Sequence, residues 1–290
     1  MHVRVVAAPV AVVMGAVTAL LSPTSDASAG EHAVPAVIAH RGASTYAPEN
    51  TLPAIDKAAE LGFSWVENDV QRTKDGELIV LHDETLDRTT NVEEVFPDRA
   101  PWRVRDFTAA EIARLDAGSW FSPAYAGARV PTLKEYMRRI ERNHEKLLLE
   151  IKNPELYPGI EQQTLKLLGD EGWLDGRHLG RLIVQSFNAD SVRIVNELKP
   201  AVVTGYLGTP TVAELHLFAR FTDLINPSYG SVSRGYVAAV HALDGPHGRP
   251  MGLFAWTVND AATARKVAAY GVDGIITNEP DLVRAALGSD

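Results

Sequence analysis

The chain has 290 residues, 46% hydrophobic and 22% charged, with a formal net charge of −9 and no cysteine. This is the composition of a soluble globular protein, and its acidity argues against nucleic acid as a partner, because a phosphate backbone is normally met by a basic surface. Without cysteine there are no disulfides, thiolate ligands or thiol nucleophiles, so a large core must hold the fold unless a bound ion assists.

In chain order, residues 1–29 carry a basic Arg4, an apolar run from Val5 to Leu21 and the small residues Ala27-Ser28-Ala29. That reads as a secretory signal cleaved near Ala29. A membrane anchor is the alternative, but the run is short and broken by Pro9 and Gly15. Residues 30–290 are therefore expected to be secreted, and no later stretch is apolar and long enough to insert stably in a bilayer.

The rest alternates short apolar runs with helix-like segments. AVIAHRG, FSWVENDV, KLLLEIKN, RLIVQSF, AVVTGYLG, FTDLINPS, GLFAWTVN and GVDGIITN are eight candidate strands. Stretches such as TLPAIDKAAELG and NADSVRIVNELK between them repeat apolar residues at three and four, the helical period. Asn188 and Asn259-Asp260 are helix-start signals, and Gly62 and Gly271 are stops. Eight such units predict a closed TIM (β/α)8 barrel, for which about 250 residues is usual; a doubly wound open sheet is the alternative.

Two segments break the rhythm. QRTKDGE leaves no room for a helix, and Asp75-Gly76 signals a two-residue hairpin. Pairing Lys74 with Glu77 and counting outward would put Asp69 opposite His82. Residues 84–143, with several prolines and the aromatics Phe96, Trp102, Phe107, Trp120, Phe121 and Tyr125, are too long for a bare loop and predict a small inserted subdomain over one barrel mouth.

The chemistry concentrates where strands end, which in such barrels is where active sites lie. Glu67 and Asp69 are two apart on one strand and so share a face, with Glu150 on the next strand. Three acids in a lumen call for strongly shifted protonation states, for a cation, as a hard oxygen site suited to Mg2+ or Ca2+, or for pairing with Arg41 and Lys152 as a buried network. His40 and His82 face the same cavity from separate segments and suit general acid and base roles, although a strand histidine can equally be a structural hydrogen-bonder. Arg41 and Lys152 could hold a phosphate; a salt bridge to Glu49 is the alternative for Arg41. Asn68 should face away from the lumen. His144, His178, His216, His241 and His247 are expected to be solvated, and Gly274 and Asn278-Glu279-Pro280 to shape the last strand-to-helix turn.

HRGASTYAPENT, VENDVQRTKDGELIVLHDETLDRTTNV, LLLEIKN, VQSF, WTVN and GVDGIITNEP resemble, in order, the motifs of the glycerophosphodiester phosphodiesterase family, from about Val37 to Asp281. The resemblance implies a TIM barrel with a subdomain inserted after His82-Asp83. It implies one divalent cation on Glu67, Asp69 and Glu150, with His40 and His82 as acid/base pair. Arg41 and Lys152 match the phosphate-contacting positions, Asn50 a site-lining asparagine and Trp256 an aromatic near the substrate. The implied activity is hydrolysis of glycerophosphodiesters to glycerol 3-phosphate and an alcohol. Rival readings are a lysophospholipase D or sphingomyelinase D type acting on lipids, which would need an apolar ledge, and a non-catalytic solute-binding barrel. Export favours calcium over magnesium. Oligomeric state leaves no trace in the sequence.

Overall fold

A computed structural model describes His2 and residues 34–288. The expected secretory segment falls, His2 apart, outside the described residues. Among the described residues no helix is long and apolar enough to cross a membrane.

Nine strands form one sheet: β1 (Ala36–Ala39), β2 (Trp65–Arg72), β3 (Leu78–Val80), β4 (Lys146–Ile151), β5 (Leu182–Ser186), β6 (Val203–Leu207), β7 (Leu224–Asn226), β8 (Gly252–Ala255) and β9 (Gly274–Thr277). All but β3 pair in parallel, and β9 returns to β1 while β1 pairs with β2, so the eight parallel strands close on themselves. The expected TIM barrel is the fold. Its wall of helices comprises α1 (Leu52–Glu60), α4 (Leu133–Arg142), α5 (Ile160–Asp170), α6 (Ala189–Leu198), α7 (Leu215–Phe218), α8 (Arg234–His241), α9 (Ala261–Ala268) and α10 (Pro280–Leu287), with α2 (Val92–Val95) and α3 (Ala109–Ile112) lying between β3 and β4. The helix signals act as read: Asn188 accepts from the N–H groups of Asp190 and Ser191, and Asp260 from that of Thr263. Gly62 and Gly271, just past α1 and α9, sit at φ 79° and 91°, where a side chain would be strained.

Side chains on each strand alternate between the helix layer and the lumen. The lumen face changes character within two residues. Ile38, Leu148, Ile183, Leu224, Phe254 and Ile276 form one buried apolar cluster, each fully buried aliphatic contributing roughly 1.5–3 kcal/mol. Two positions further along the same strands stand His40, Glu150, Gln185, Asn226, Trp256 and Asn278, and β2 carries Trp65, Glu67 and Asp69 in the same phase. An apolar plug thus floors a polar chamber at the C-terminal ends of the strands.

The hairpin differs from expectation by one residue. Val70 faces Val80, Gln71 faces Ile79 and Arg72 faces Leu78, so Asp69 lies opposite Leu81 and not His82. The loop is Lys74-Asp75-Gly76, closed by a Thr73–Glu77 backbone bond of 2.9 Å, with Gly76 at φ 93°. Side chains select it: Thr73 Oγ1 accepts from Glu77 N at 3.0 Å and donates to Asp75 Oδ1 at 2.6 Å, and Asp75 also accepts from Ala109 N at 2.9 Å. A three-residue loop ending in a left-handed glycine then satisfies more polar groups than the two-residue turn.

Residues after β3 build a satellite core in which Leu86, Val104, Phe107, Ile112 and Leu115 join Ile79 and Leu81. A boundary drawn at 143 takes in α4, whose Leu133, Tyr136, Met137 and Ile140 are buried in the barrel's main core. Their three- and four-residue spacing makes α4 the barrel's own crossover helix into β4.

Glu145 precedes β4 at the floor end. Both its carboxylate oxygens are buried without a hydrogen-bond partner. Burial pushes its carboxyl up to about 8, reinforced by Asp56. Between the ordinary glutamate range and about 8 the folded state binds a proton the unfolded chain has released, so stability falls as pH rises across that window. Glu145→Gln is expected to raise the melting temperature at pH 8 by at least about 3 °C, taking roughly 2–4 °C per kcal/mol at this size. The gain should shrink toward pH 4.5, and a gain independent of pH would show that Glu145 does not titrate in this way.

Candidate active site

Glu67, Asp69 and Glu150 are nearly inaccessible, at 1%, 1% and 5% exposure. Asp69 and Glu150 are register partners on β2 and β4, and Glu67 is one pleat below Asp69. One carboxylate oxygen from each lies within 4.8 Å of the others. Oxygens sharing a calcium at 2.3–2.6 Å are at most about 5 Å apart, so the three could hold one ion.

Two cations flank them. Lys152 Nζ stands 2.8 Å from Glu150 Oε1 and 3.8 Å from Asp69 Oδ1. Arg41 Nε is 3.4 Å from Asp69 Oδ2, while its Nη1 donates to Glu49 at 2.9 Å, so both partners anticipated for Arg41 are engaged. The Arg41 main chain takes part as well: held at φ 58°, it donates its N–H to Glu67 Oε2 at 3.0 Å. Asn50, also at φ 58°, donates to Asp69 Oδ2 at 2.8 Å. Even so, Asp69 Oδ1 is buried with no hydrogen-bond partner.

The histidines complete the chamber. His40 Nδ1 donates to Asn278 Oδ1 at 2.6 Å, which leaves Nε2 as the acceptor, 3.8 Å from Glu67 Oε2. His82 Nδ1 donates to Asp83 at 2.6 Å. His82 lies beyond the β3 ladder and is placed by Gln71, whose amide donates to the carbonyls on either side of it, Leu81 at 2.8 Å and Asp83 at 2.6 Å. Trp256 donates to the Asn226 carbonyl at 2.7 Å and meets Phe187 edge to face at 5.4 Å. His40, Arg41, Glu67, His82, Glu150, Lys152 and Trp256 line one cavity, with Asp69 and Asn50 directly behind it.

The model of the glycerophosphoryl diester phosphodiesterase family matches residues 40–282. The chain belongs to that family. It is 36% identical over 288 residues to a glycerophosphodiester phosphodiesterase of Bacillus subtilis (strain 168), covering 93% of each chain. It is 39% identical over 248 residues to one from Caldanaerobacter subterraneus subsp. tengcongensis, covering 84% of this chain and 94% of that protein. Among solved structures, an Oleispira antarctica phosphodiesterase in complex with the product sn-glycerol-3-phosphate superposes with a TM-score of 0.74 at 27% identity, covering 88% of this chain and 98% of that one. Family, fold and enzyme class agree with the motifs in the sequence.

In this phosphodiesterase the buried acids cannot all be ionised cheaply. Burial raises Glu67 well above the usual range, aided by Asp69 and Glu150, and raises Glu150 to about 8. Burial acts on Asp69 too, but Arg41 and Lys152 outweigh it and hold that carboxyl low. His40 is lowered to about 4 by burial and by Arg41, so it is neutral at pH 7.

Several site residues carried no signal of their own in the sequence. Gln71 reads as an ordinary strand residue, yet it fixes His82. Asn278 lies in the last strand-to-helix turn, as expected, and also fixes the His40 tautomer. Phe187 lines the cavity after Ser186. Gly274 packs across the sheet, since a Cβ there would lie 2.5 Å from the Phe254 ring. Of the five outlying histidines, His144 and His216 are exposed as expected, but His178, His241 and His247 pair with carboxylates at 2.7–3.1 Å. Asn68 faces outward, buried with both polar atoms unpartnered, and nothing in the structure explains it.

Gly42 permits the turn that aims Arg41. It sits at φ 82°, and a Cβ would lie 2.5 Å from that of Ala54 and 2.7 Å from the Ala54 carbonyl carbon. Gly42→Ala is expected to lose at least about 2 kcal/mol of stability from strain and overpacking, read as a lower denaturant midpoint.

Proposed function

We propose that the protein hydrolyses glycerophosphodiesters to glycerol 3-phosphate and an alcohol, using one divalent cation held by Glu67, Asp69 and Glu150. The observation carrying this reading is the convergence of three carboxylate oxygens within 4.8 Å in a chamber shared with two histidines. The donor set fits such an ion: all ligands are hard oxygens, and Asp69 Oδ1 is a buried acceptor without a donor. When bound, calcium or magnesium would neutralise phosphoryl charge and lower the pKa of the attacking water.

The protein's own groups supply the rest. Arg41 and Lys152 point into the chamber and neutralise the phosphate, the arginine through a planar fork. His40, neutral with a free Nε2, takes a proton from the attacking water as its oxygen bonds to phosphorus and the bond to the departing alcohol breaks. His82, its ring oriented by the Asp83 carboxylate behind Nδ1, gives a proton to the departing alcohol from Nε2. The plug beneath keeps the chamber closed to water on one side. The apolar run and small residues of 1–29 support export, which favours calcium as the ion in use.

The decisive experiment measures glycerol 3-phosphate release from a panel of glycerophosphodiesters by metal-stripped protein, with each ion added back. Activity should vanish with chelator and return with one of the two ions; activity indifferent to chelator would remove the cation from this reading. His82→Ala should lower kcat by about 10²- to 10⁴-fold while the protein stays folded. Phe187, 48% exposed beside Trp256, gives the rim an apolar face, so lysophosphatidylcholine belongs in the panel. Faster turnover of that lipid than of glycerophosphocholine would reassign the substrate.

Ion binding must displace the protons that burial holds on Glu67 and Glu150. Affinity should therefore rise with pH up to about 8, where Glu150 titrates, and be about tenfold or more weaker at pH 6 than at pH 8. Calorimetric titration at the two pH values checks it.

A further inference from the structure

Arg88 lies beyond the hairpin and outside the cavity, 43% exposed, where a lone surface ion pair would contribute little. Its bonding is not that of a lone pair. Nη1 and Nη2 donate to the two oxygens of Glu49 at 2.8 and 2.7 Å. On its other edge Nε donates to Asp83 Oδ2 and Nη2 to Asp83 Oδ1, the latter at 3.1 Å. One planar guanidinium therefore forks onto two carboxylates at once. Each carboxylate has a second partner: Glu49 accepts from Arg41 Nη1 at 2.9 Å, and Asp83 accepts from His82 Nδ1 at 2.6 Å. The acids are better shielded than the arginine, at 13% and 25% exposure. Burial works against the charge of Glu49 and of Asp83, but Arg88 and their second partners hold both below the ordinary carboxylate range.

The connection joins parts of the chain that no ladder links. Glu49 belongs to the loop after β1, and Asp83 follows the hairpin return, which leaves the sheet at Val80. Resting on the function proposed above, we infer that Arg88 is a positioning residue: through Glu49 and Asp83 it fixes the distance between the phosphate-facing Arg41 and the proton donor His82. Lysine cannot replace it, because an ammonium on a flexible stem lacks the fork that bonds two carboxylates in one plane.

The test compares Arg88→Lys with wild type, both loaded with calcium, on glycerophosphocholine and on a glycerol phosphodiester with a p-nitrophenyl leaving group. The variant should keep its melting temperature within a few degrees and lose about 10- to 100-fold in kcat on glycerophosphocholine. It should lose only a few-fold on the nitrophenyl ester, whose leaving group needs no proton. A folded variant with kcat within about twofold of wild type, or with equal losses on both substrates, overturns the inference. If Arg88→Lys does not fold, Glu49→Gln, Asp83→Asn and their double variant decide. Coupling through Arg88 predicts a double loss smaller than the product of the single losses, and multiplicative losses overturn it. Wild type that releases no glycerol 3-phosphate, or a fully active His82→Ala, would instead remove the underlying function.

Discussion

Everything at the strand ends answers to one electrostatic constraint: three carboxylates are buried together, and among the described residues two cations, Arg41 and Lys152, stand against them. Taken with those two cations alone, full ionisation of the three acids leaves one negative charge uncompensated in a low-dielectric chamber, a large penalty. The protein meets it unevenly. Asp69 lies within reach of both cations and of the Asn50 amide and is held low, while burial pushes Glu67 and Glu150 toward their neutral forms, Glu150 in spite of Lys152 at 2.8 Å. That division makes the site receptive, since a divalent ion would let all three acids ionise. The backbone is unusual at the same place: Arg41 and Asn50 both occupy φ 58°, and from there the Arg41 N–H and the Asn50 amide reach the carboxylates.

Barrel geometry makes such a concentration affordable. Every lumen-facing position alternates with one in the helix layer, so a two-residue advance moves each strand from the plug to the chamber. Ile38 becomes His40, Leu148 becomes Glu150 and Ile276 becomes Asn278. The apolar layer supplies stability directly beneath residues chosen against it. The same parity kept Glu67 and Asp69 on one face and put Asn68, between them, on the other.

That parity is why so much was legible in the sequence. Strand count, closure, the three acids and the two histidines follow from local patterns and from strand order. What failed to show were long-range side-chain bonds. A two-residue turn was the natural reading of Asp75-Gly76, and only the Thr73 and Asp75 side chains, the latter tied to Ala109, add the third loop residue. The role of Gln71 depends on that shift, because it reaches the Leu81 and Asp83 carbonyls from the corrected register. Asn278 meets His40 across 238 residues and Arg88 meets Glu49 across 39, separations at which no spacing rule operates.

The register shift also clarifies how His82 comes to serve the chamber. Had it paired with Asp69, a ladder bond would have fixed its backbone and left the ring to find its own orientation. Leu81 takes that place instead and turns its side chain into the satellite core, so the insertion anchors the residue before the histidine. Gln71 then grips the carbonyls on both sides, and Asp83 grips the ring. The inserted residues thus act on the chemistry through packing: their aromatics Phe96 and Phe107 pair with each other at 5.3 Å, and none of the insertion's residues is among those lining the cavity. The apolar face of the cavity comes from the barrel's own Phe187 and Trp256, which directly follow β5 and β8.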